Sequence, residues 1–163
     1  MPKGVTKEEE NWEKINNDPV CFGARDDEYG AFNIQVNGQI FTFKLVHING
    51  SLRCNPSYQS YWGCSHRAYE EKRLTTVITT TAKDALSLAD YSKDEAGCNL
   101  KYYSYQIDGI TENSPELVFN NLSPPLSVSV GQEFQIWFGE DLSDCTEHDN
   151  SGRTCADVYA WYV

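Results

Sequence analysis

Short apolar segments alternate with turn residues along most of this chain, and no segment has the longer apolar period of an extended helix. The clearest alternation covers residues 31–36, AFNIQV, and Asn37-Gly38 follows it directly. Asn-Gly is the dipeptide favoured in type I′ hairpin turns, so we expect a hairpin whose partner strand covers residues 39–48. Asn49-Gly50 predicts a second turn.

β-branched and aromatic residues, which suit the pleated surface of a sheet, indicate the other strands. These are predicted over residues 73–81, 100–107, 116–119, 126–130, 133–138 and 156–163. About eight short strands separated by Gly, Asn and Pro are typical of an all-β fold, and we expect a β-sandwich of the jelly-roll kind. A length of 163 residues fits one domain of this class.

A charged N-terminal arm, residues 1–19, precedes this domain and includes three consecutive glutamates, Glu8, Glu9 and Glu10. Thr6 would cap a short helix through Trp12 and Ile15. The arm has little apolar surface, so it either frays or docks through Trp12. Asp18-Pro19 marks the boundary, and the sandwich domain is predicted over residues 20–163.

Six cysteines in a chain of this size favour three disulfides and an oxidising compartment. No C-x2-C pair occurs, and the three histidines are not at zinc-finger spacing. Sequence does not choose among the connectivities; we favour Cys54–Cys64, Cys145–Cys155 and, by elimination, Cys21–Cys98. We therefore expect a secreted, extracellular protein, the alternative being buried free thiols in a cytosolic one.

The formal net charge of -11 excludes the basic surface that nucleic-acid binding and adsorption to anionic membranes require. No apolar stretch has the length of a membrane span, so membrane insertion is not expected. Residues 102–163 hold ten of the 24 acids and one of the 13 bases, Arg153. Cations, neutral ligands such as sugars, and basic proteins remain as partners.

The densest acidic segment of this region, residues 139–152, joins two predicted strands at one end of the sandwich. Calcium takes about six to eight oxygen ligands from carboxylates, amides and backbone carbonyls. Asp141, Asp144, Asp149 and Asn150 are the candidate ligands, and Asn150 and Gly152 tolerate the positive φ of a loop that folds around an ion. The alternative is a solvated acidic loop.

A second loop, residues 23–30, precedes the first alternating strand, and the first and last strands of a jelly roll often lie close together. Asp26 or Asp27 would then join the same site. Alternatively, Arg25 simply pairs with these acids or with the acidic segment, and we favour this simpler interpretation.

The motifs of familiar enzymes are absent from the sequence, which has no Gly-x-Ser-x-Gly elbow and no phosphate-binding Gly-x-x-x-x-Gly-Lys. Carboxylates for glycoside hydrolysis are plentiful, but no pair stands out. Aromatic side chains would offer a platform for sugar rings at Tyr58, Tyr61 and Trp62, or at Tyr102, Tyr103 and Tyr105. Burial in the core or on the sheet is the alternative, and the one we favour.

Several segments together carry a resemblance to a known module: VCFGARD from Val20, FKLVH from Phe43, YWGC from Tyr61, SPELVF from Ser114, GEDL from Gly139 and DNSGRTCADVY from Asp149. They resemble an extracellular module of predicted secreted proteins of corals and sea anemones. The resemblance covers about residues 20–163 and implies secretion, without an established function.

The last loop is also similar to the calcium loop of galactophilic bacterial lectins, which are β-sandwiches too. This similarity implies Asp141, Asp149 and Asn150 as calcium ligands, with backbone near Cys145 or Thr146. Asp149 stands where that loop has an asparagine, and the spacing differs by one residue.

Taken together, these observations predict a secreted, non-enzymatic, calcium-binding, lectin-like module that binds a glycan or an extracellular matrix protein. One alternative is a structural protein of extracellular matrix or mineral that assembles through edge strands into homo-oligomers. A second alternative is a glycan-active hydrolase.

Overall fold

A computed structural model describes residues 12–66, 72–86, 92–93, 101–143 and 148–163. Within them the chain is almost entirely β, and every strand ladder is antiparallel. The elements are β1 (Trp12–Lys14), β2 (Val20–Gly23), β3 (Gly30–Asn33), β4 (Gly38–Asn55), β5 (Tyr58–Ser60), β6 (Thr76–Thr80), β7 (Ser92–Lys93), β8 (Lys101–Ser104), β9 (Glu116–Val118), β10 (Leu126–Val128), β11 (Glu133–Phe138), helix α1 (Gly139–Ser143) and β12 (Ser151–Tyr162). Among the described residues, no helix has the length and apolarity needed to cross a membrane.

Two sheets face each other across an aromatic core, which confirms the predicted all-β sandwich. Sheet A has the order β1-β12-β4-β10, with β2 also on β12 and with β5 and β9 on β4, whereas sheet B has the order β3-β11-β6. Phe43 of sheet A packs against two rings of sheet B, Phe32 at 5.8 Å and Phe134 at 6.0 Å between centroids. The jelly-roll connectivity stays a prediction.

The hairpin predicted at Asn37-Gly38 is wrong, because β3 and β4 lie in different sheets. β3 pairs with β11, and the chain then crosses to sheet A before β4 begins. Contacts with the β10–β11 turn hold this crossing: Ile34 donates to Gln132 O at 2.8 Å, and Val130 donates to Asn37 Oδ1 at 2.7 Å. Asn37 therefore accepts a long-range hydrogen bond instead of forming a hairpin turn.

The second predicted turn is also wrong, because β4 runs without interruption through Asn49-Gly50. Gly50 has φ +83° and lies beside a register shift in the β4–β12 ladder. A Cβ atom at this position would collide with the carbonyl oxygen of Arg153. Glycine is needed here for a close approach of two strands rather than for a change of chain direction.

We expect Gly50→Ala to lower the free energy of unfolding by about 2 kcal/mol more than Gly109→Ala. Gly109 has a similar φ of +81°, but a Cβ there would meet nothing within 4 Å, so the two variants share the backbone strain and differ in the collision. Urea denaturation of both variants measures the difference. Equal losses would contradict the close approach.

The start of the described chain is a strand and not the predicted helix, because β1 pairs with β12 at the edge of sheet A. The Trp12 and Trp161 rings pack edge to face at 5.3 Å, and Lys44 Nζ lies 4.6 Å from the Trp12 ring centroid. Ile15 is buried. Residues 12–19 of the arm therefore dock on the sandwich through Trp12 and do not fray. Thr6 and Glu8–Glu10 lie outside the described residues.

Two disulfides are present in the described residues, Cys21–Cys155 and Cys54–Cys64. The second confirms the prediction, whereas the first shows that Cys21–Cys98 and Cys145–Cys155 were wrong. Cys21 and Cys155 are direct partners in the β2–β12 ladder, with Cα atoms 4.0 Å apart, so ladder pairing and not sequence proximity decides the bond. Cys98 and Cys145 lie outside the described residues. Two disulfides fit an extracellular location.

Candidate functional site

The acidic segment enters the protein instead of standing in solvent. It begins as α1, where Glu140 is 6% exposed and Asp141 1% exposed, and it returns to β12 through Asn150, also 1% exposed. The solvated-loop alternative is therefore wrong for these three residues. It holds for Asp149, which is exposed.

Asp141 binds the backbone of the loop over residues 24–29. Its Oδ1 accepts from the Asp27 N–H at 2.9 Å, and its Oδ2 accepts from the Glu28 N–H at 3.0 Å. Asp26 and Asp27 both adopt left-handed backbone conformations, with φ of 65° and 57°. One buried carboxylate thus supports a strained turn by two charge-assisted hydrogen bonds.

Asn150, which directly precedes β12, connects loop 24–29 to α1. Its Nδ2 donates to Ala24 O at 3.1 Å and to Glu140 Oε1 at 2.8 Å. Its Oδ1 is buried and has no hydrogen-bond partner among the residues that the structure describes. Leaving a buried acceptor unsatisfied costs about 1–3 kcal/mol, so this oxygen is a position where a cation or a ligand donor would be stabilised.

The structure brings two of the predicted metal ligands, Asp141 and Asn150, to one place together with loop 24–29. Asp149 neighbours Asn150 on the exposed side, and Asp144 lies outside the described residues. In the described part of the chain, no three His, Cys, Asp or Glu side chains are grouped as a metal site. The available oxygens nevertheless belong to the carboxylate and amide classes that calcium prefers.

Loop 24–29 reaches the acidic segment as predicted, but through its backbone and Arg25. Arg25 Nε lies 3.5 Å from Asp26 Oδ2, and Arg25 Nη1 donates to His148 O at 2.9 Å. This arrangement confirms the simpler interpretation of the loop, in which Arg25 pairs with the nearby acids and the acidic segment. Asp27 contributes its N–H group.

Two functional candidates, Glu140 and Tyr29, are not among the residues that the sequence patterns indicate. Glu140 lies within the acidic segment 139–152 and follows the apolar strand β11 and Gly139, but it is not one of the predicted ligands. Tyr29 was not named as an aromatic candidate. Its ring stacks on Trp137 with centroids 4.9 Å apart, while the residue stays 42% exposed. An exposed ring beside an acidic loop was the available signal for a sugar-stacking position.

Most of the aromatic side chains considered as sugar platforms pack within the protein, which is the alternative that we favoured from the sequence. Trp62 is fully buried, and Tyr61 stacks on His47 at 3.6 Å. Tyr105 is buried with its hydroxyl donating to Thr76 O, and burial raises the pKa of this phenol well above its usual range. Tyr58 packs edge to face on His66. The side chains of Tyr102 and Tyr103 lie outside what the structure describes.

Comparison with known proteins gives one informative match. No family model matches this chain, and no curated protein does. Among solved structures, AJLec from the sea anemone Anthopleura japonica is similar to it over 93% of this chain and 97% of that one, with 30% sequence identity and a TM-score of 0.81. The organism agrees with the resemblance to sea-anemone proteins that the sequence segments carry.

Proposed function

Because this chain belongs to the same family as the sea-anemone lectin AJLec, we propose that it is itself a secreted, non-enzymatic lectin that binds carbohydrate with the help of calcium. The binding site lies at the end of the sandwich where α1, Asn150 and loop 24–29 meet. The two disulfides and the acidic net charge are in keeping with an extracellular cation-binding protein.

The observation that carries this proposal is the buried Oδ1 of Asn150, which finds no hydrogen-bond donor in the described part of the chain. A buried amide oxygen next to Glu140, with Asp141 on the same short helix, offers a cation a hard oxygen ligand and opposite charge. Exposed Asp149 adds a carboxylate from the solvent side, and Asp144 is the fourth predicted ligand. When bound, the calcium ion supplies coordination positions for sugar hydroxyls.

Tyr29 supplies the apolar half of the site. The two hydrogen bonds from the Asp27 and Glu28 N–H groups to the Asp141 carboxylate, here called the Asp141 clamp, fix the backbone next to Tyr29. Glu28 is the chain neighbour of Tyr29, so the clamp determines where the Tyr29 ring lies. Trp137 supports one face of its ring and leaves the residue partly exposed. Sugar rings present a C–H surface that stacks on such a face, while their hydroxyls face the polar groups nearby.

We expect calorimetry to show saturable calcium binding by the wild-type protein, with a rise in melting temperature, because an ion that binds the native state stabilises it. Asp149→Ala should weaken calcium binding at least about tenfold. Asp108→Ala, which removes another exposed aspartate, is the control and should change nothing.

A glycan array with and without a chelator tests the other half of the proposal. We expect binding that the chelator abolishes. Glycan binding that survives the chelator would overturn the role of calcium. No glycan binding at all, together with weak and non-saturating calcium uptake and concentration-dependent oligomers, would replace the lectin by the matrix-assembly alternative.

A further inference from the structure

A polar groove runs along β3 on the side of the sandwich next to the proposed site. Residues 15–21, from the end of β1 into β2, form one wall, and residues 29–33 with Gln35 form the other. Its volume of about 450 Å³ lies within the usual range of ligand sites, about 300–1,000 Å³. We call it the β3 groove.

Uncharged hydrogen-bonding side chains dominate the exposed lining of the β3 groove. Asn17, Asn33 and Gln35 are exposed along it, and Asp18 is its exposed carboxylate. Asn33 and Gln35 each donate one amide hydrogen within the protein, to Gly131 O and Asn33 O, both at 3.1 Å. Each keeps a second donor hydrogen and an acceptor oxygen, which matches the mixed donor and acceptor character of sugar hydroxyls. The larger apolar residues of the lining, Ile15, Val20 and Phe32, are buried beneath this surface.

A peptide is a poorer fit to the same lining. Among the described strands, β3 is an edge strand of sheet B, and a peptide strand added there would gain specificity from pockets for its alternate side chains. The β3 residues that project outward, Ala31 and Asn33, are small or polar. The lining therefore favours a hydroxyl-rich ligand over an extended peptide.

Tyr29 connects the groove to the proposed calcium site. It lines one end of the groove, and its chain neighbour Glu28 donates its N–H to Asp141. At a rise of about 3.3 Å per residue, the part of the groove wall from Tyr29 to Asn33 is ~13 Å long. That distance exceeds the length of a single sugar ring.

We propose that the β3 groove holds the second and following residues of an oligosaccharide whose first residue binds at the calcium site. This inference rests on the proposed lectin function and specifies its ligand class: a glycan chain, not a single sugar. Tyr29 stacks on the ring at the junction, and Asn17, Asn33 and Gln35 bind hydroxyls farther along.

Calorimetry with homo-oligosaccharides of galactose, glucose, mannose and N-acetylglucosamine, each from one to four residues, tests the proposal in calcium-containing buffer. We expect the tetramer of the recognised sugar to bind about tenfold more tightly than its monomer. The double variant Asn17→Ala/Gln35→Ala should remove most of this gain and leave the affinity for the monomer within about twofold. Gln59→Ala, an exposed glutamine outside the groove, is the control.

The outcomes separate the two proposals. Equal affinity at every chain length, or a gain that survives the double variant, would overturn the β3 groove and leave the lectin intact. Loss of monomer and tetramer binding alike in the double variant would also overturn the groove as a separate subsite. No binding of any sugar in the series would overturn the lectin function and the groove with it.

Discussion

Replacing Cys21 and Cys155 together by alanine should lower the free energy of unfolding by about 5 kcal/mol. The disulfide joins residues 134 positions apart, and in the chain-entropy model the stabilisation grows with the length of the closed loop. The double replacement leaves no unpaired thiol from this bridge. Denaturant unfolding in non-reducing buffer gives the value.

The second disulfide provides an internal control. Cys54–Cys64 spans ten residues, so the matching double alanine variant should cost about 2.7 kcal/mol in the same model. The difference of about 2 kcal/mol is the quantity of interest, because both variants exchange a cystine for two alanines. A larger loss for Cys54 and Cys64 would show that local packing, not loop length, governs these bridges.

The second large effect is expected at Asp141. Asp141→Ala removes both acceptors of the Asp27 and Glu28 N–H groups, and hydrogen bonds to charged groups contribute about 1.5–3 kcal/mol each. We expect a loss of about 3–4 kcal/mol in the free energy of unfolding, measured with a chelator present so that no ion contributes. Sugar affinity should fall as well, because Tyr29 depends on the position of this loop.

Asp149→Ala distinguishes the loss of the Asp141 hydrogen bonds from the loss of a negative charge alone. Both variants remove one negative charge from the same segment, but Asp149 is exposed and should change stability by less than about 0.5 kcal/mol in chelator. If the two variants were equally stable, the Asp141 hydrogen bonds would contribute nothing. If Asp141→Ala were destabilised but kept full sugar affinity, the clamp would be purely structural.

Local patterns in the sequence predicted the strands better than their partners. Phe32 and Ile34 are buried as the alternation required, and β11 covers the predicted residues 133–138. The Asn37-Gly38 signal describes only a local turn of four residues, whereas this sandwich places β3 and β4 on different sheets. The partner that decides the outcome, Val130, is 93 residues from Asn37.

The candidate site was predictable in place but not in detail. A dense run of acids between two strands located the loop, and the closeness of the first and last strands brought residues 24–29 to it. Burial of Glu140 and Asp141 was not predictable, because carboxylates are rarely buried without partners. Those partners include backbone N–H groups of loop 24–29 and the amide of Asn150, which the fold brings together.

The central position of β12 in sheet A sets the order in which the protein becomes foldable during synthesis. β1, β2 and β4 all pair with β12, and β1 and β2 lie more than 100 residues before it. A nascent chain that has not yet emerged from the ribosome beyond residue 150 therefore holds three strands without their shared partner. Sheet A closes only after β12 has been translated, and a chain that terminates before β12 leaves open strand edges prone to aggregation.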